Sequence, residues 1–88
     1  RLQKVLYRKP NGAAWEEKSW DWAFERIAAR VKETRDKTFK ATVDGRVVNR
    51  TEAIACLGGS ALDNEEAYLL AKLMRALGLV YLEHQARL

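Results

Sequence analysis

The sequence predicts a small fold of the α/β class, built from an N-terminal hairpin, an amphipathic helix and a strand-helix-strand unit. Apolar residues recur at helical spacing from Trp20 to Val31, and turn signals occur at Asn11-Gly12 and at Asp44-Gly45. Two short apolar runs also flank a second helical segment that follows Gly58. The chain has 88 residues, of which 48% are hydrophobic and 32% charged, so it is predicted to form one small ordered domain.

The first segment, residues 1–18, is predicted to form a hairpin. Pro10-Asn11-Gly12 is a turn signal, because asparagine and glycine adopt positive φ at little cost. Apolar residues precede this turn between Leu2 and Tyr7, and Ala14-Trp15-Glu16 is the expected returning strand.

Residues 19–38 are predicted to form an amphipathic helix. Ser19 is a suitable N-cap, and the carboxylate of Asp21 favours the positive end of the helix dipole. One apolar face follows from the helical spacing of Trp20, Ala23, Phe24, Ile27, Ala28 and Val31. Trp20 and Trp22 are candidates for stacking on a cofactor, but packing in the core or at its rim is the expected role.

Residues 40–50 are predicted to form a second hairpin around Asp44-Gly45. The polar residues 49–53 are then predicted to be a connection. Ile54-Ala55-Cys56-Leu57 is a short apolar run typical of a buried strand. Cys56 is expected to be a small core residue rather than a reactive thiol.

Residues 54–82 are predicted to form a strand-helix-strand (βαβ) unit. Asp63 can cap its helix, residues 64–77, with Glu66 reaching back in a capping box, and Gly78 is a natural stop. A further apolar run provides the second strand. Such a unit normally makes a right-handed crossover between parallel strands, which bind ligands at their carboxyl ends.

The candidate binding surface consists of the two polar segments that follow these strands, Gly58-Gly59-Ser60 and residues 83–87. The amides of the glycine turn can hold an anion or phosphate at a helix N-terminus, although a tight structural turn explains the same residues. The turn matches neither a G-x-G-x-x-G motif nor a P-loop. His84, the single histidine, is a structural hydrogen-bonding residue or part of a site, and Arg87 can pair with a carboxylate or phosphate. One histidine and one cysteine do not make a catalytic or metal-ligand set, so no residue is assigned to either role.

The net charge of +4 leaves two interpretations open. The basic residues are spread along the chain and mixed with acidic ones, which is typical of solvated helix faces. The alternative is a free-standing α/β binding or interaction module, including one for nucleic acid. Against nucleic acid, aromatic and basic residues do not alternate on one strand face. No apolar stretch approaches the length of a membrane span.

Two sets of residues resemble a known family, and together they extend over nearly the whole chain. The first set resembles the segment of molybdopterin oxidoreductases that opens the first helix after the iron–sulfur cluster domain: Trp15-Glu16, Ser19-Trp20-Asp21, Ala23 and Ile27-Ala28. The second set narrows the resemblance to the respiratory formate dehydrogenases: Asn49-Arg50, Glu52, Leu57-Gly58-Gly59-Ser60-Ala61-Leu62-Asp63-Asn64-Glu65-Glu66, Leu77-Gly78-Leu79 and Glu83-His84-Gln85-Ala86-Arg87.

The resemblance implies that the chain is a fragment of a catalytic subunit. In that family a selenocysteine or cysteine that ligates molybdenum or tungsten follows the stretch ending at Leu88, and a catalytic histidine comes next. The expected fragment therefore lacks the metal ligand, the proton acceptor and the upstream four-cysteine cluster motif. Selenocysteine is encoded by UGA, which is read as a stop when recoding fails.

The resemblance also implies a place beside the family's cofactor, a bis-molybdopterin guanine dinucleotide. The residues expected to lie near it are Gly58, Gly59, Ser60, Asn64, His84, Gln85 and Arg87. The full-length family enzyme oxidises formate to CO2 and also carries a 4Fe-4S cluster, whereas the isolated chain is expected to bind no cofactor and to be inactive. The implied partners are the rest of the catalytic subunit and electron-transfer subunits, in a periplasmic enzyme. The isolated chain is expected to self-associate, because the strand at 79–82 is apolar on both faces.

Overall fold

The computed structural model of this protein describes residues 2–84. Its elements are β1 (Val5–Tyr7), β2 (Glu16–Lys18), α1 (Trp20–Thr38), β3 (Lys40–Val43), β4 (Arg46–Gly58), α2 (Asn64–Ala76) and β5 (Leu79–His84). The predicted α/β class is confirmed. The elements form two compact units, residues 1–32 and residues 33–88, whose boundary lies within α1.

The first unit contains the N-terminal hairpin, in which β1 and β2 pair antiparallel. The turn closes through the amide of Gly12, which donates to the carbonyl of Lys9 at 2.8 Å, and Asn11 takes the positive φ of 59°. The second strand begins at Glu16, so the prediction that Ala14–Glu16 would form it is wrong by two residues. Trp15 instead lies in the loop, where its ring centre is 5.1 Å from the guanidinium of Arg8.

The helix α1 begins as predicted, because the Ser19 hydroxyl accepts a hydrogen bond from the amide of Trp22 at 3.1 Å. Its apolar face is largely uncovered: Ala23 is buried, but Phe24 is 62% exposed and Ile27 61% exposed. Trp20 is 52% exposed, so of the core and rim positions predicted for it, the core is excluded within residues 2–84. Trp22 is half-buried and packs edge-on against Tyr7, with ring centres 5.0 Å apart. The sequence indicated the apolar face correctly, but residues 2–84 do not bury it.

The strand β4 is much longer than predicted, because residues 49–53 continue it instead of forming a connection. Thr51 lies in this part of the strand and is fully buried, with both its amide and its hydroxyl hydrogen-bonded. Its amide donates to the carbonyl of Gly78 at 2.7 Å, and its hydroxyl lies 2.6 Å from the hydroxyl of Thr38. Asn49, with a φ of 45°, marks an irregularity within the strand.

The predicted strand-helix-strand unit is present, with β4 and β5 parallel and α2 between them in the chain. The helix begins at the predicted capping box: Asp63 Oδ1 accepts from the amide of Glu66 at 2.7 Å, and Glu66 Oε2 accepts from the amide of Asp63 at 3.4 Å. It is followed by Gly78, which has a φ of +91°. The second sheet has the strand order β3-β4-β5, so β5 is an edge strand within residues 2–84.

Few apolar side chains are buried in the described part of the chain. Ala23 and Leu79 are its buried hydrophobic residues, and Cys56, expected in the core, is only half-buried. The exposed large hydrophobic residues include Trp20, Phe24, Ile27, Leu57, Tyr68, Leu69, Leu73, Val80 and Tyr81. Both helices and the sheet therefore present apolar surface that residues 2–84 leave open.

Candidate functional site

The candidate site lies where β4 and β5 end, at the edge that the sequence predicted. Gly58 and His84 are direct partners in the parallel register, so the last residue of one strand is opposite the last residue of the other. The glycine turn begins at Gly58 and leads into α2. The two predicted polar segments therefore lie side by side at Gly58 and His84.

A hydrogen bond joins the two segments. The Nε2 atom of His84 lies 3.1 Å from the carbonyl oxygen of Gly59. Because a carbonyl oxygen can only accept, Nε2 must carry the proton in this contact. The same carbonyl also accepts from the amide of Leu62 at 3.4 Å. The half-buried His84 ring therefore fixes one end of the glycine turn against β5.

The glycine turn is open on one side and lined on the other. Among residues 2–84, a Cβ atom added at Gly59 would meet no atom within 4 Å. A Cβ atom at Gly58 would lie 3.7 Å from Cδ2 of His84 and 3.9 Å from a methyl group of Leu62, which is ordinary contact. Within the described part of the chain the turn is therefore uncrowded at Gly59, whereas Gly58 contacts neighbouring residues of the same unit.

The charge near the turn disfavours a phosphate at the N-terminus of α2. Asp63 already caps this helix with its carboxylate, and Glu65 and Glu66 stand in the first helical turn. These acids offset the positive end of the helix dipole, which is the feature that attracts anions. The polar exposed residues Ser60 and Asn64 flank the same region. These charges argue against a phosphate at this helix N-terminus.

A cavity of about 380 Å³ adjoins the turn and continues between α2 and β5. Its lining is mainly aliphatic, with His84 and Glu83 at the strand end: Gly58, Leu62, Ala67, Leu70, Ala71, Leu82, Glu83 and His84. This mixture of apolar walls and few polar groups is common in sites for organic ligands.

The remaining sequence-predicted site residues, Gln85 and Arg87, lie outside the described residues. Within residues 2–84, no group of three or more His, Cys, Asp or Glu side chains is arranged to hold a metal ion. The helices in that range are also too short or too polar to cross a membrane.

A second cavity, of about 330 Å³, contains a basic cluster that sequence reasoning did not assemble. Lys40 and Arg50 are cross-strand partners, and Lys37 lines the same cavity. Arg50 Nε lies 3.0 Å from Glu52 Oε1, which offsets part of this charge. The Asp44-Gly45 turn predicted that β3 and β4 pair. It did not predict that Lys40 lies opposite Arg50, because the register shifts between Lys40 and Thr42.

Comparison with known proteins identifies close relatives of the sequence. No family model matches the chain. It is 51% identical over 89 residues to the formate dehydrogenase subunit alpha of Megalodesulfovibrio gigas, covering all of this chain and 9% of that protein. It is 48% identical to the formate dehydrogenase 2 subunit alpha (cytochrome c-553) of Nitratidesulfovibrio vulgaris and 42% identical to the formate dehydrogenase-O major subunit of Escherichia coli, in each case over 99% of this chain and 9% of the relative. The chain is therefore homologous to one segment, about 9% of the length, of formate dehydrogenase alpha and major subunits.

Proposed function

We propose that this chain is a segment of the catalytic subunit of a formate dehydrogenase and forms part of the scaffold around its cofactor. The observation that carries this proposal is the 51% identity to a formate dehydrogenase alpha subunit, which extends over all of the chain. The reaction proposed for the complete protein is the oxidation of formate to CO2, with release of a proton and two electrons.

The uncovered apolar surface supports the assignment to a longer protein. A chain with 48% hydrophobic residues normally encloses a core, yet Ala23 and Leu79 are the buried hydrophobic residues of the described part. Large apolar patches on a protein usually mark surfaces that other polypeptide covers. Because the matched relatives are far longer than this chain, the polypeptide beyond the matched segment is the proposed cover.

The cofactor proposed for the complete protein is a bis-molybdopterin guanine dinucleotide with molybdenum or tungsten. Gly59 is the proposed contact, since a Cβ atom there would meet no atom within 4 Å among residues 2–84. The acids Asp63, Glu65 and Glu66 make the N-terminus of α2 a poor site for the pyrophosphate. We therefore assign an uncharged pterin or guanine ring to the turn, with Ser60 and Asn64 as the neighbouring polar side chains.

When bound, the metal centre would supply the two-electron redox chemistry. The contribution that we assign to the described residues is to shape the pocket: the glycine turn leaves room, and His84 holds the turn in place. Gln85 and Arg87 are proposed to continue the pocket. We assign the selenocysteine or cysteine ligand, the catalytic histidine and the 4Fe-4S cluster to other parts of the subunit. The complete subunit would pass electrons to partner subunits.

A segment exchange tests the proposal. This chain replaces the homologous segment of the Megalodesulfovibrio gigas alpha subunit, and the unaltered subunit is prepared in parallel as the control. We expect the exchanged protein to retain bound pterin guanine dinucleotide and to oxidise formate with an artificial electron acceptor. A folded exchanged protein without pterin would refute the assignment to the cofactor scaffold.

A second test reads the coding DNA after the codon for Leu88. The proposal requires an in-frame UGA or cysteine codon followed at once by a histidine codon. Any other continuation would contradict the assignment to the segment that precedes the metal ligand.

A further inference from the structure

We propose that His84 is a positioning residue, which holds the glycine turn at a fixed distance from the end of β5 so that the turn can receive the cofactor. The consequence for the cofactor rests on the proposed function. The hydrogen bond between His84 and Gly59 does not rest on the proposed function, because both residues belong to this chain.

The contact between His84 and Gly59 has the geometry of a hydrogen bond. His84 Nε2 donates to the Gly59 carbonyl across 3.1 Å, a bond that links residues far apart in the sequence. Both the neutral ring with its proton on Nε2 and the fully protonated ring can make this bond. The contact therefore does not require the histidine to change protonation, which suits a structural hold rather than a proton carrier.

The glycine turn lies beyond the paired part of the two strands. The pairing of β4 with β5 ends at Gly58 and His84, so Gly59 lies just beyond the last strand pair. Within residues 2–84, the other partner of its carbonyl is the amide of Leu62 at the long distance of 3.4 Å. Of these two bonds within residues 2–84, the one from the imidazole is the shorter, and it comes from β5.

Other contacts hold the elements on either side of the turn. The helix after the turn has its own cap, formed by Asp63 and Glu66, and does not need the histidine to begin. The strand before His84 is anchored by Leu79, which is 2% exposed. Loss of the imidazole removes its bond to the turn, whereas the cap of α2 and the burial of Leu79 do not depend on that bond.

The test compares three variants of His84 in the exchanged subunit described above. Glutamine can place its amide nitrogen close to the position of Nε2, asparagine is too short to reach it, and leucine has no donor. We expect His84→Gln to keep the pterin guanine dinucleotide content. We expect His84→Asn and His84→Leu to lose most of it, with unchanged circular dichroism and thermal midpoint. Where pterin remains, the expected effect on formate oxidation is a lower kcat with little change in KM.

The outcomes distinguish this inference from the proposed function. An exchanged subunit with wild-type His84 and no pterin would overturn both. Full pterin content in His84→Asn would overturn the inference alone, as would equal loss in all three variants with a lowered thermal midpoint. In the 88-residue chain itself, nitrogen-15 spectra of the ring should show the proton on Nε2, and a proton found only on Nδ1 would also overturn it.

Discussion

Replacing Gly78 by alanine should be among the most damaging small changes in the chain. Gly78 follows α2 with a φ of +91°, and its carbonyl accepts the amide of the buried Thr51 at 2.7 Å. An added Cβ atom would lie 3.0 Å from a ring carbon of Phe39 and 3.1 Å from the carbonyl oxygen of Asn49. The second neighbour is backbone, which cannot move aside as the end of a flexible side chain can.

Two costs add at this position. A left-handed backbone costs a residue with a Cβ atom roughly 1–2 kcal/mol. Crowding in a packed region typically costs a further amount of about 1–3 kcal/mol. The alanine also lowers the conformational entropy of the unfolded chain, which stabilises the folded state by roughly 0.4–1 kcal/mol. The expected net loss for Gly78→Ala is therefore about 1–5 kcal/mol.

Two other glycines provide matched controls, measured together with Gly78→Ala by urea unfolding at low protein concentration. Gly45→Ala tests the backbone cost alone, since its φ is +78° but its Cβ atom would have no neighbour within 4 Å, and it should lose about 1 kcal/mol. Gly59→Ala has neither a positive φ nor a close contact, and it should not destabilise the chain. Equal midpoints for Gly78→Ala and Gly45→Ala, with equal slopes, would show that the contacts with Phe39 and Asn49 carry no cost.

Four further outcomes are expected. Ser19→Ala should lose on the order of 1 kcal/mol in chemical denaturation, because it removes the acceptor of the Trp22 amide; an unchanged midpoint would contradict the cap. Thr51→Val should lose about 1 kcal/mol relative to the exposed control Thr42→Val, because it removes the hydroxyl pair with Thr38, whose hydroxyl keeps its bond to the carbonyl of Thr34; no difference would contradict that pair. The purified chain should self-associate through its open strand edge and apolar faces, so light scattering at micromolar concentration should give a mass above 10.1 kDa; a monomer at all concentrations would contradict this. The same preparation should not oxidise formate in a dye-coupled assay, since the proposed metal ligand and base are not within it, and turnover would contradict that assignment.

Local patterns in the sequence were sufficient to predict much of the structure of the second unit. Asp63 and Glu66 predicted the start of α2, and Gly78 predicted its stop, because caps depend on residues a few positions apart. The rule that parallel strands end at one edge of a sheet also predicted that the segments containing Gly58 and His84 would meet.

Features that depend on distant residues could not be predicted in the same way. The polar segment 49–53 resembles a connection until the carbonyl of Gly78 and the hydroxyl of Thr38 are known to satisfy Thr51. The hydrogen bond from His84 to Gly59 likewise joins residues on either side of α2 in the sequence, and no local pattern predicts it. Helical spacing also indicates which face of α1 is apolar, but it does not indicate whether that face is covered.

The length of β4 has a consequence for the order in which the second unit can fold. Its first half pairs antiparallel with β3 through a tight turn at Asp44-Gly45, and its second half pairs parallel with β5 across the whole of α2. Closing the second loop, roughly tenfold longer, costs about 2 kcal/mol more in chain entropy. The hairpin can therefore form first and offer its free edge as a template, onto which α2 and β5 dock together. Folding of this unit during synthesis would then wait until Leu79 and the residues after it have left the ribosome, because Thr51 stays without its partner carbonyl until then.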